Sequence, residues 1–439
     1  MLNETDRKRV FAIIIATQCM GMITTALFQN GFYLNYFSRL GVSSSQIALL
    51  LALPFAASVM LLMPFAFWSD RFGKRRMALI GQALLICSLA MMMLAGGWGG
   101  LRMVAAALLV YTVGGSLQAA GWFALLNPIV PPGVRGRFFG RLRVAFQLAS
   151  IGFTLLVTGV LGRAHSLSAF EGLLGVVLVL SVLRYFTYAR IPELEDAGGE
   201  KDHRHSFFDA LRSVFRVPGY LPYVGYVFLM TLFTAAVPVT FGLMEKDVFA
   251  FSPSRITLMG ALFLLGGVLG CWQGGHVVDR HGTRFGFLVS QLFFAGAILA
   301  MLLRHWAPWP LPAHVGGCTL AFGWIGGLAG VASTAEMLAL IPERNKSFST
   351  ALATTLYNAG VALAGLFVSR AIEWRALAAR WTAFSVEYTR YDTLLLTFVV
   401  MLLVMLFAVG LVPNIDMPGR GSMNGPAAEG LERGGVRGG

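Results

Sequence analysis

Charged residues are scarce in this sequence. Asp, Glu, Lys and Arg make up 13% of its 439 residues, and hydrophobic residues make up 56%. Soluble domains carry about 25% charged residues, and a chain of this length needs that charge to cover its surface. Together with a mean hydropathy of +0.70, this composition excludes an ordinary soluble enzyme.

Cysteines are few, and the common catalytic motifs are missing. The four cysteines, Cys19, Cys87, Cys271 and Cys318, show no CxxC spacing, so they indicate neither a disulfide framework nor a zinc site. The sequence contains no HExxH, GxSxG or phosphate-binding loop, motifs that would indicate a catalytic or nucleotide site. We therefore predict that the protein is not an enzyme and binds no metal or cofactor.

A net charge of +13 and a pI near 10 raise the alternative of a nucleic-acid-binding protein. That function requires basic residues clustered on one face of a soluble domain. Here the basic residues occupy short intervals between long uncharged stretches. We therefore expect no nucleic-acid partner.

Long uncharged stretches dominate the chain. Eleven runs lack Asp, Glu, Lys and Arg over at least 19 residues: 10–38, 40–69, 77–101, 103–134, 144–162, 217–244, 256–278, 285–303, 305–335, 347–369 and 393–415. A twelfth apolar stretch covers 168–190, with Glu171 and Arg184 near its ends. About 20 apolar residues of helix cross the ~30 Å hydrocarbon core of a bilayer. The pattern predicts twelve membrane-spanning helices, spans 1 to 12.

Basic residues predict the orientation of these spans. A cytoplasmic N-terminus places most of the 34 Lys and Arg on the inner side, as the positive-inside rule requires. The first uncharged run is far longer than the apolar part of a signal peptide, so span 1 is expected to be retained. We predict an integral protein of the cell (inner) membrane with both termini in the cytoplasm.

The longest polar interval divides the chain into two sets of six spans. The predicted parts are an N-terminal half over 1–191, a cytoplasmic linker over 192–216, a C-terminal half over 217–412 and a disordered, glycine-rich tail over 413–439. Apolar residues at helical spacing near the end of the linker predict a short amphipathic helix on the membrane surface. The alternative is a loop helix packed against the bundle.

An internal repeat relates the two halves. Asp-Arg-x-Gly-x-Arg occurs at residues 70–75 and again at 279–284, an offset of 209. Asn127 is followed eight residues later by Arg135, and Glu336 is followed eight residues later by Arg344, again 209 apart. Two matches with one offset predict two structurally related six-helix halves.

With these features the sequence resembles the major facilitator superfamily. The resemblance rests on six plus six spans, the central linker and the loop motif Gly-x-x-x-Asp-Arg-x-Gly-x-Arg/Lys-Arg/Lys in both halves. The second copy begins at Gly275, whereas Ala66 replaces the leading glycine of the first copy. The resemblance implies an all-α integral membrane fold of two pseudo-symmetric six-helix bundles.

The resemblance also implies a gating network of charges. In this family the loop Asp joins an ion-pair network that latches the outward-facing state. We assign to this network Asp70, Arg71, Gly73, Arg75, Arg135, Asp279, Arg280, Gly282, Arg284, Glu336, Arg344 and Lys346. The alternative for the loop residues is topology and loop stability alone. Glu336, an acid at membrane depth, serves either a gating ion pair or the coupling of a proton or substrate.

By the same resemblance, spans 1, 4, 7 and 10 line a central cavity, helped by spans 2, 5, 8 and 11. The polar and aromatic residues that we expect to line it are Gln29, Asn30, Gln118, Trp122, Gln147, Tyr226, Thr234, Gln273, Trp324, Tyr357 and Asn358. Each amide has a second interpretation, as a hydrogen bond between helices. No charged residue occupies the middle of spans 1, 4, 7 or 10, which favours a neutral solute.

The predicted function is a secondary or facilitative transporter that moves a small neutral organic solute by alternating access. One alternative is a drug-type efflux antiporter, although span 5 lacks the Gly-x-x-x-Gly-Pro motif typical of that group. Another is a non-transporting sensor or lipid-handling protein on the same scaffold. The expected partners are the solute, the bilayer and H+ or Na+ as a coupling ion, and the expected state is a monomer.

Asp70→Asn tests the latch. The substitution removes the carboxylate that the resemblance places in the ion-pair network, so we expect the equilibrium to shift toward the inward-facing state. Cysteine accessibility from the cytoplasmic side measures this shift. Unchanged accessibility in the variant would rule out the latch.

Overall fold

The computed structural model describes residues 4–97, 99–126, 129–130, 135–164, 166–193, 219–340, 346–373, 377–383 and 385–411. The predicted linker helix and the tail over 413–439 lie outside these residues. The boundaries proposed for the two halves therefore stay predictions.

Twelve helices in the described part of the chain are long and apolar enough to cross a membrane, as predicted. The helices are Glu4–Gln29 (span 1), Ser44–Phe72 (span 2), Lys74–Leu94 (span 3), Gly100–Leu126 (span 4), Arg135–Arg163 (span 5), Leu167–Tyr188 (span 6), Tyr220–Thr234 with Val237–Asp247 (span 7), Pro253–Leu302 (spans 8 and 9), Leu311–Leu340 (span 10), Lys346–Glu373 (span 11) and Arg390–Leu411 (span 12). The prediction of an all-α membrane fold is confirmed.

Three shorter elements join the spans. A helix over Phe32–Arg39 follows span 1, and a 3-10 turn over Arg304–Trp306 follows span 9. Between spans 11 and 12, strand β1 (Arg380–Ala383) pairs antiparallel with strand β2 (Val386–Thr389). This hairpin was not predicted. Its strands carry β-branched and aromatic residues that favour extended backbone.

The internal repeat extends to backbone geometry. Three pairs of positions 209 residues apart share a feature: Gly73 with Gly282, Gly41 with Ala250, and Ser43 with Ser252. The first two pairs have positive φ, from 51° to 98°, and the serines cap spans 2 and 8 by accepting a backbone N–H three residues ahead. Because these features match at the offset read from the loop motifs, the two halves are copies of one architecture.

Hydrophobic packing differs between the two ends of the molecule. We call the end bearing Gly73 and Gly282 the motif end, and the end bearing Ser43 and Ser252 the far end. One cluster of buried residues includes Leu27, Phe37 and Leu51 from the N-terminal half and Phe241, Met244 and Ile298 from the C-terminal half. At the motif end each half has its own cluster, around Ile14 and Leu125 in one and around Tyr220 and Leu352 in the other. Among the described residues, the halves are therefore packed together at the far end and separately at the motif end.

A buried ion pair fastens the hairpin to the C-terminal half. Arg304 donates to both carboxylate oxygens of Asp392, at 2.5 Å and 3.1 Å, and the two side chains are 2% and 0% exposed. Asp392 also accepts the backbone N–H of Thr389 at 2.8 Å and its hydroxyl at 2.9 Å. Bidentate charged hydrogen bonds are strong and directional, so this carboxylate holds spans 9 and 12 and strand β2 in one arrangement.

Asp392→Asn is expected to destabilise the protein strongly. It leaves the Arg304 cation buried without a counter-charge, which costs about 3–5 kcal/mol of unfolding free energy. Thermal unfolding of purified protein in detergent, followed by tryptophan fluorescence, measures the effect. The control is Glu387→Gln, which breaks the Arg380–Glu387 pair at 76% and 55% exposure and should cost less than about 1 kcal/mol. Equal melting temperatures for the two variants would contradict the assignment.

Candidate functional site: a central cavity closed at the far end

A cavity of about 610 Å³ lies between the two halves. Residues of spans 1, 2, 5, 7, 8, 9, 10 and 11 line it, and no described residue of span 4 does. Much of the wall is apolar, with Phe28, Phe55, Met230, Phe263 and Phe322 among its members. An apolar wall with few polar groups is typical of sites for small organic molecules.

Four of the residues predicted to line the cavity do so. They are Gln147, Tyr226, Thr234 and Tyr357. The Tyr226 hydroxyl donates to the carbonyl of Phe287 at 3.4 Å, and the Thr234 hydroxyl donates to the carbonyl of Met230 one turn earlier, at 2.7 Å. Gln147 has no such fixed partner among the described residues, and Tyr357 is 46% exposed. These last two side chains are therefore the freest to bond a solute.

The two predicted residues of span 4 lie inside the N-terminal bundle. The Gln118 amide donates to the Gln82 side chain at 3.4 Å, and Gln82 in turn donates to the carbonyl of Ser181 at 3.1 Å. The Trp122 ring packs on Tyr188 with centroids 5.9 Å apart. Both residues tie spans 3, 4 and 6 together, and contact with a solute stays a prediction for them.

Four of the remaining predicted cavity residues bond between helices. Gln273 accepts from the Trp324 indole at 2.9 Å, away from the cavity. Asn358 donates to the Ser58 hydroxyl at 2.9 Å, which links span 11 to span 2. Asn30 is fully buried at the far end and donates to Thr154 at 3.1 Å. The side chain of Gln29 lies outside the described residues.

Half of the predicted gating network lies outside the described part of the chain. This applies to Arg344 and to the side chains of Asp70, Arg71, Arg135, Asp279 and Lys346. Gly73 and Gly282 both have positive φ, as a tight reversal requires. The Arg75 guanidinium donates to the carbonyl of Ala189, and Arg280 and Arg284 are exposed. The ion-pair network itself stays a prediction.

Glu336 contacts the second loop motif. Its carboxylate accepts the Thr283 hydroxyl at 2.6 Å, and the residue is 6% exposed. In the first copy of the motif, the backbone N–H of Lys74 donates to the Glu193 carboxylate at 2.8 Å. An acid from outside the motif therefore contacts each loop. Thr283 and Glu193 were not predicted, because neither belongs to the motif's fixed positions.

Two seams close the cavity at the far end. In the first, Ser45 of span 2 donates to Glu373 of span 11 at 2.6 Å, and Gly365 lets span 11 approach Ala52 so closely that a Cβ there would lie 2.3 Å from the alanine Cβ. In the second, Ser254 of span 8 donates to the carbonyl of Thr158 of span 5 at 2.9 Å. Ser45 and Ser254 are 209 residues apart, so the seams are related by the repeat.

A third set of contacts joins the end of span 7 to span 2 of the N-terminal half and to span 12 of its own half. The Asp247 carboxylate accepts the Ser44 hydroxyl of span 2 at 2.6 Å and pairs with Lys246 at 3.1 Å. It also accepts the Tyr391 hydroxyl of span 12. The far-end closure therefore combines close helix packing with charged hydrogen bonds.

Span 7 continues beyond its uncharged run. The run ends at residue 244, whereas the helix continues to Asp247. Glu245 is therefore helical, and it is 2% exposed and lines the cavity. This acid was not among the predicted cavity residues, which were chosen from the uncharged runs.

Twelve spans in two repeated halves around a central cavity define a membrane transporter built of two six-helix bundles. The sequence profile of the Major Facilitator Superfamily matches residues 9–365, and the chain belongs to this family. A comparison with curated protein sequences finds no match.

Solved structures of transporters share the fold. The nucleoside transporter NupG is similar with a TM-score of 0.65 and 14% identity over 92% of this chain and 98% of that one. A point mutant of NupG gives a TM-score of 0.68 and 13% identity over 92% and 99% of the two chains. A D-xylose-proton symporter gives 0.68 and 14% over 91% and 96%.

Gly260→Ala is expected to weaken the far-end closure. A Cβ at residue 260 would lie 2.3 Å from the Asn30 Cα, so span 8 must move away from the end of span 1. Overpacking of this kind costs about 1–3 kcal/mol, which favours the far-end-open state about 5- to 150-fold. Labelling of Ala48→Cys by an impermeant thiol reagent from the far side, in a protein without its native cysteines, measures the shift.

The control for this experiment is Gly152→Ala on span 5. A Cβ at residue 152 meets no atom within 4 Å, so its labelling rate should match that of the parent protein. Equal labelling of the Gly260 and Gly152 variants would show that close packing at Gly260 does not hold the far end closed.

Proposed function

We propose that this transporter carries a small, neutral organic solute by alternating access. The observation that carries the proposal is the composition of the cavity wall. Its described residues include one side chain of a charged type, Glu245, and otherwise amide, hydroxyl, aromatic and aliphatic groups. An anionic solute would be desolvated there without a counter-charge, which is costly, and Glu245 is the single acid that a cationic solute would meet among the described lining residues. A neutral solute can be held by hydrogen bonds and apolar contact.

The far-end closure supports alternating access. The halves are fastened at one end by the two seams and are packed separately at the other. If the termini are cytoplasmic, as we propose from the basic residues, the motif end faces the cytoplasm and this is an inward-facing state. Rocking of one half against the other about the cavity would then expose the same lining to the far side.

The similar structures agree with this solute class. One is named as a nucleoside transporter and another as a D-xylose-proton symporter, and both names denote polar organic solutes. At 13–14% identity the likeness concerns the fold, so it supports the class of transporter and does not identify the solute. The symporter's name agrees with the proposal of H+ as a coupling ion.

A second candidate function is efflux of an amphiphilic compound. It is favoured by the aromatic part of the wall, where Phe241, Phe294 and Phe322 lie close together, with ring centroids 4.7–5.9 Å apart. Such a surface suits a flat apolar group. For either function we propose a monomer in the cell membrane, with the interval 192–216 as a cytoplasmic linker between the halves.

A solute panel tests the two functions. Purified protein is screened for ligand-induced thermal stabilisation against sugars, nucleosides, other neutral metabolites and amphiphilic cations, and the hits are assayed by counterflow in proteoliposomes. Saturable exchange of a neutral metabolite supports the main proposal. Exchange of amphiphiles alone supports the second candidate, and no exchange of any class would overturn both.

Gln147→Leu is expected to weaken solute binding. Gln147 lines the cavity, and loss of one hydrogen bond to a neutral solute costs about 0.5–1.5 kcal/mol, up to about tenfold in affinity. The half-saturation concentration in counterflow measures the change. Gln273→Leu is the matched control, because Gln273 bonds Trp324 outside the cavity. A larger loss of affinity in the control would contradict the assigned site.

A further inference from the structure

Glu245 is a buried acid without a counter-charge. It lies in the second helix of span 7, is 2% exposed and lines the cavity. Among the described residues, no side chain donates a hydrogen bond to its carboxylate and no cation pairs with it. It differs in this from Asp247, Glu373 and Asp392, three acids of the far end that each have a donor within 2.6 Å.

The charged side chains on the neighbouring elements pair with one another or face solvent. They are Lys246 and Asp247 on the same helix, Asp392 on span 12, Arg304 beside it, Arg255 on span 8, Arg39 on the helix after span 1, and Arg370 and Glu373 on span 11. The other ionisable groups there are the tyrosines Tyr33, Tyr36 and Tyr391. Lys246 pairs with Asp247, and Arg304 pairs with Asp392. Arg370 pairs with Glu373, and Arg39 and Arg255 are exposed. Glu245 is therefore left with its own charge uncompensated.

The repeat supplies a comparison within the chain. The residue 209 positions before Glu245 is Tyr36, which is also buried and donates its hydroxyl to the carbonyl of Met92 at 2.6 Å. Burial raises the pKa of Tyr36 above its usual range, so this side chain stays neutral. The equivalent places in the two halves thus hold a neutral donor with a partner and an acid without one.

The surroundings of Glu245 favour its protonated form in this conformation. A carboxylate removed from water without a donor or a cation is strongly disfavoured, and such a group takes up a proton instead. The same helix carries part of the far-end closure, since Gly242 packs against Leu34 and Asp247 binds Ser44. Separation of the halves at the far end would break these contacts and admit water to Glu245, where the ionised form is stable.

We propose that Glu245 is a proton-binding site whose protonation stabilises the far-end-closed state. The carboxylate takes one proton from the far-side solution when the far end is open and must hold it for the far end to close. No other bond forms or breaks. The inference rests on the alternating access in the proposed function, and it adds the group through which a proton gradient would act on that motion.

The sign of the pH dependence follows from linkage. The closed state binds one more proton at residue 245 than the open state does, so low pH favours closure and rising pH favours opening. For a single proton, the ratio of open to closed molecules changes by at most about tenfold per pH unit. Glu245→Gln mimics the protonated form and should hold the far end closed at every pH.

Spin-label distances test the proposal without a known solute. The native cysteines are replaced, and labels are placed at the exposed far-end positions Arg102→Cys and Trp309→Cys, one on each half. Double electron–electron resonance on the full chain in nanodiscs, from pH 5 to pH 9, should show the longer distance gaining population with pH. In Glu245→Gln the short distance should dominate throughout. A distribution that does not change with pH in the parent, or an equal pH response in Glu245→Gln, overturns the proposal.

Three further measurements serve as controls. Glu387→Gln, which changes an exposed far-end acid outside the seams, should keep the pH response, and its loss there would contradict Glu245 as the site. Glu245→Asp keeps an ionisable group and serves if the Gln variant does not fold; its midpoint should shift, and an unchanged midpoint contradicts the proposal. Added Na+ at fixed pH should leave the distances unchanged, and a Na+-driven closure would overturn proton binding.

The outcome separates this site from the proposed function. Solute exchange in proteoliposomes together with a pH response that survives Glu245→Gln would retain the transport function and remove the proton site. A pH response abolished by Glu245→Gln in a protein that exchanges no solute of the panel would retain the proton site and remove the transport function.

Discussion

Close contact between the two halves at one end is the constraint on which the other features of this structure depend. Helix backbones at Gly260 and Gly365 approach the opposite half so closely that a methyl group has no room. At that distance, short side chains such as Ser45 and Ser254 reach across the seam. The closed cavity, the burial of Glu245 and the separate packing of the motif end all follow from this contact. Van der Waals packing and hydrogen bonds replace the hydrophobic effect, which contributes little between helices in lipid.

The role of each charged side chain at the far end depends on its contact with water and on its bonding partners. The Arg304–Asp392 pair is desolvated and joined by two hydrogen bonds, so it serves as a fixed structural fastening. Asp247 is bonded to groups on both sides of a seam, so it can take part in closure. Glu245 is desolvated without a partner, so its charge state depends on the conformation. Charge scarcity thus concentrates the electrostatic control of the molecule in a few side chains.

The sequence predicted the number of spans, the all-α fold and the repeated halves. The length of an uncharged run can be compared directly with the thickness of a membrane, and the 209-residue offset can be counted along the chain. The sequence could not show which face of each helix meets the cavity. Every face of these spans is apolar, so Gln118 and Gln147 were equivalent in the sequence although the first bonds Gln82 and the second lines the cavity. Nor did the uncharged runs point to Glu245, because a helix that lines a cavity can continue past its first acid.

The difference between the equivalent residues Tyr36 and Glu245 belongs to a wider difference between the two halves. Polar groups of the N-terminal half, such as Gln82, Gln118 and Tyr36, are committed to bonds inside that half. Most of the cavity wall comes from spans 7 to 11. The second bundle thus supplies most of the surface that a solute would meet, and polar groups of the first bundle bond within it. Related transporters that differ in solute should therefore diverge fastest in the second bundle, while the first keeps its internal bonds.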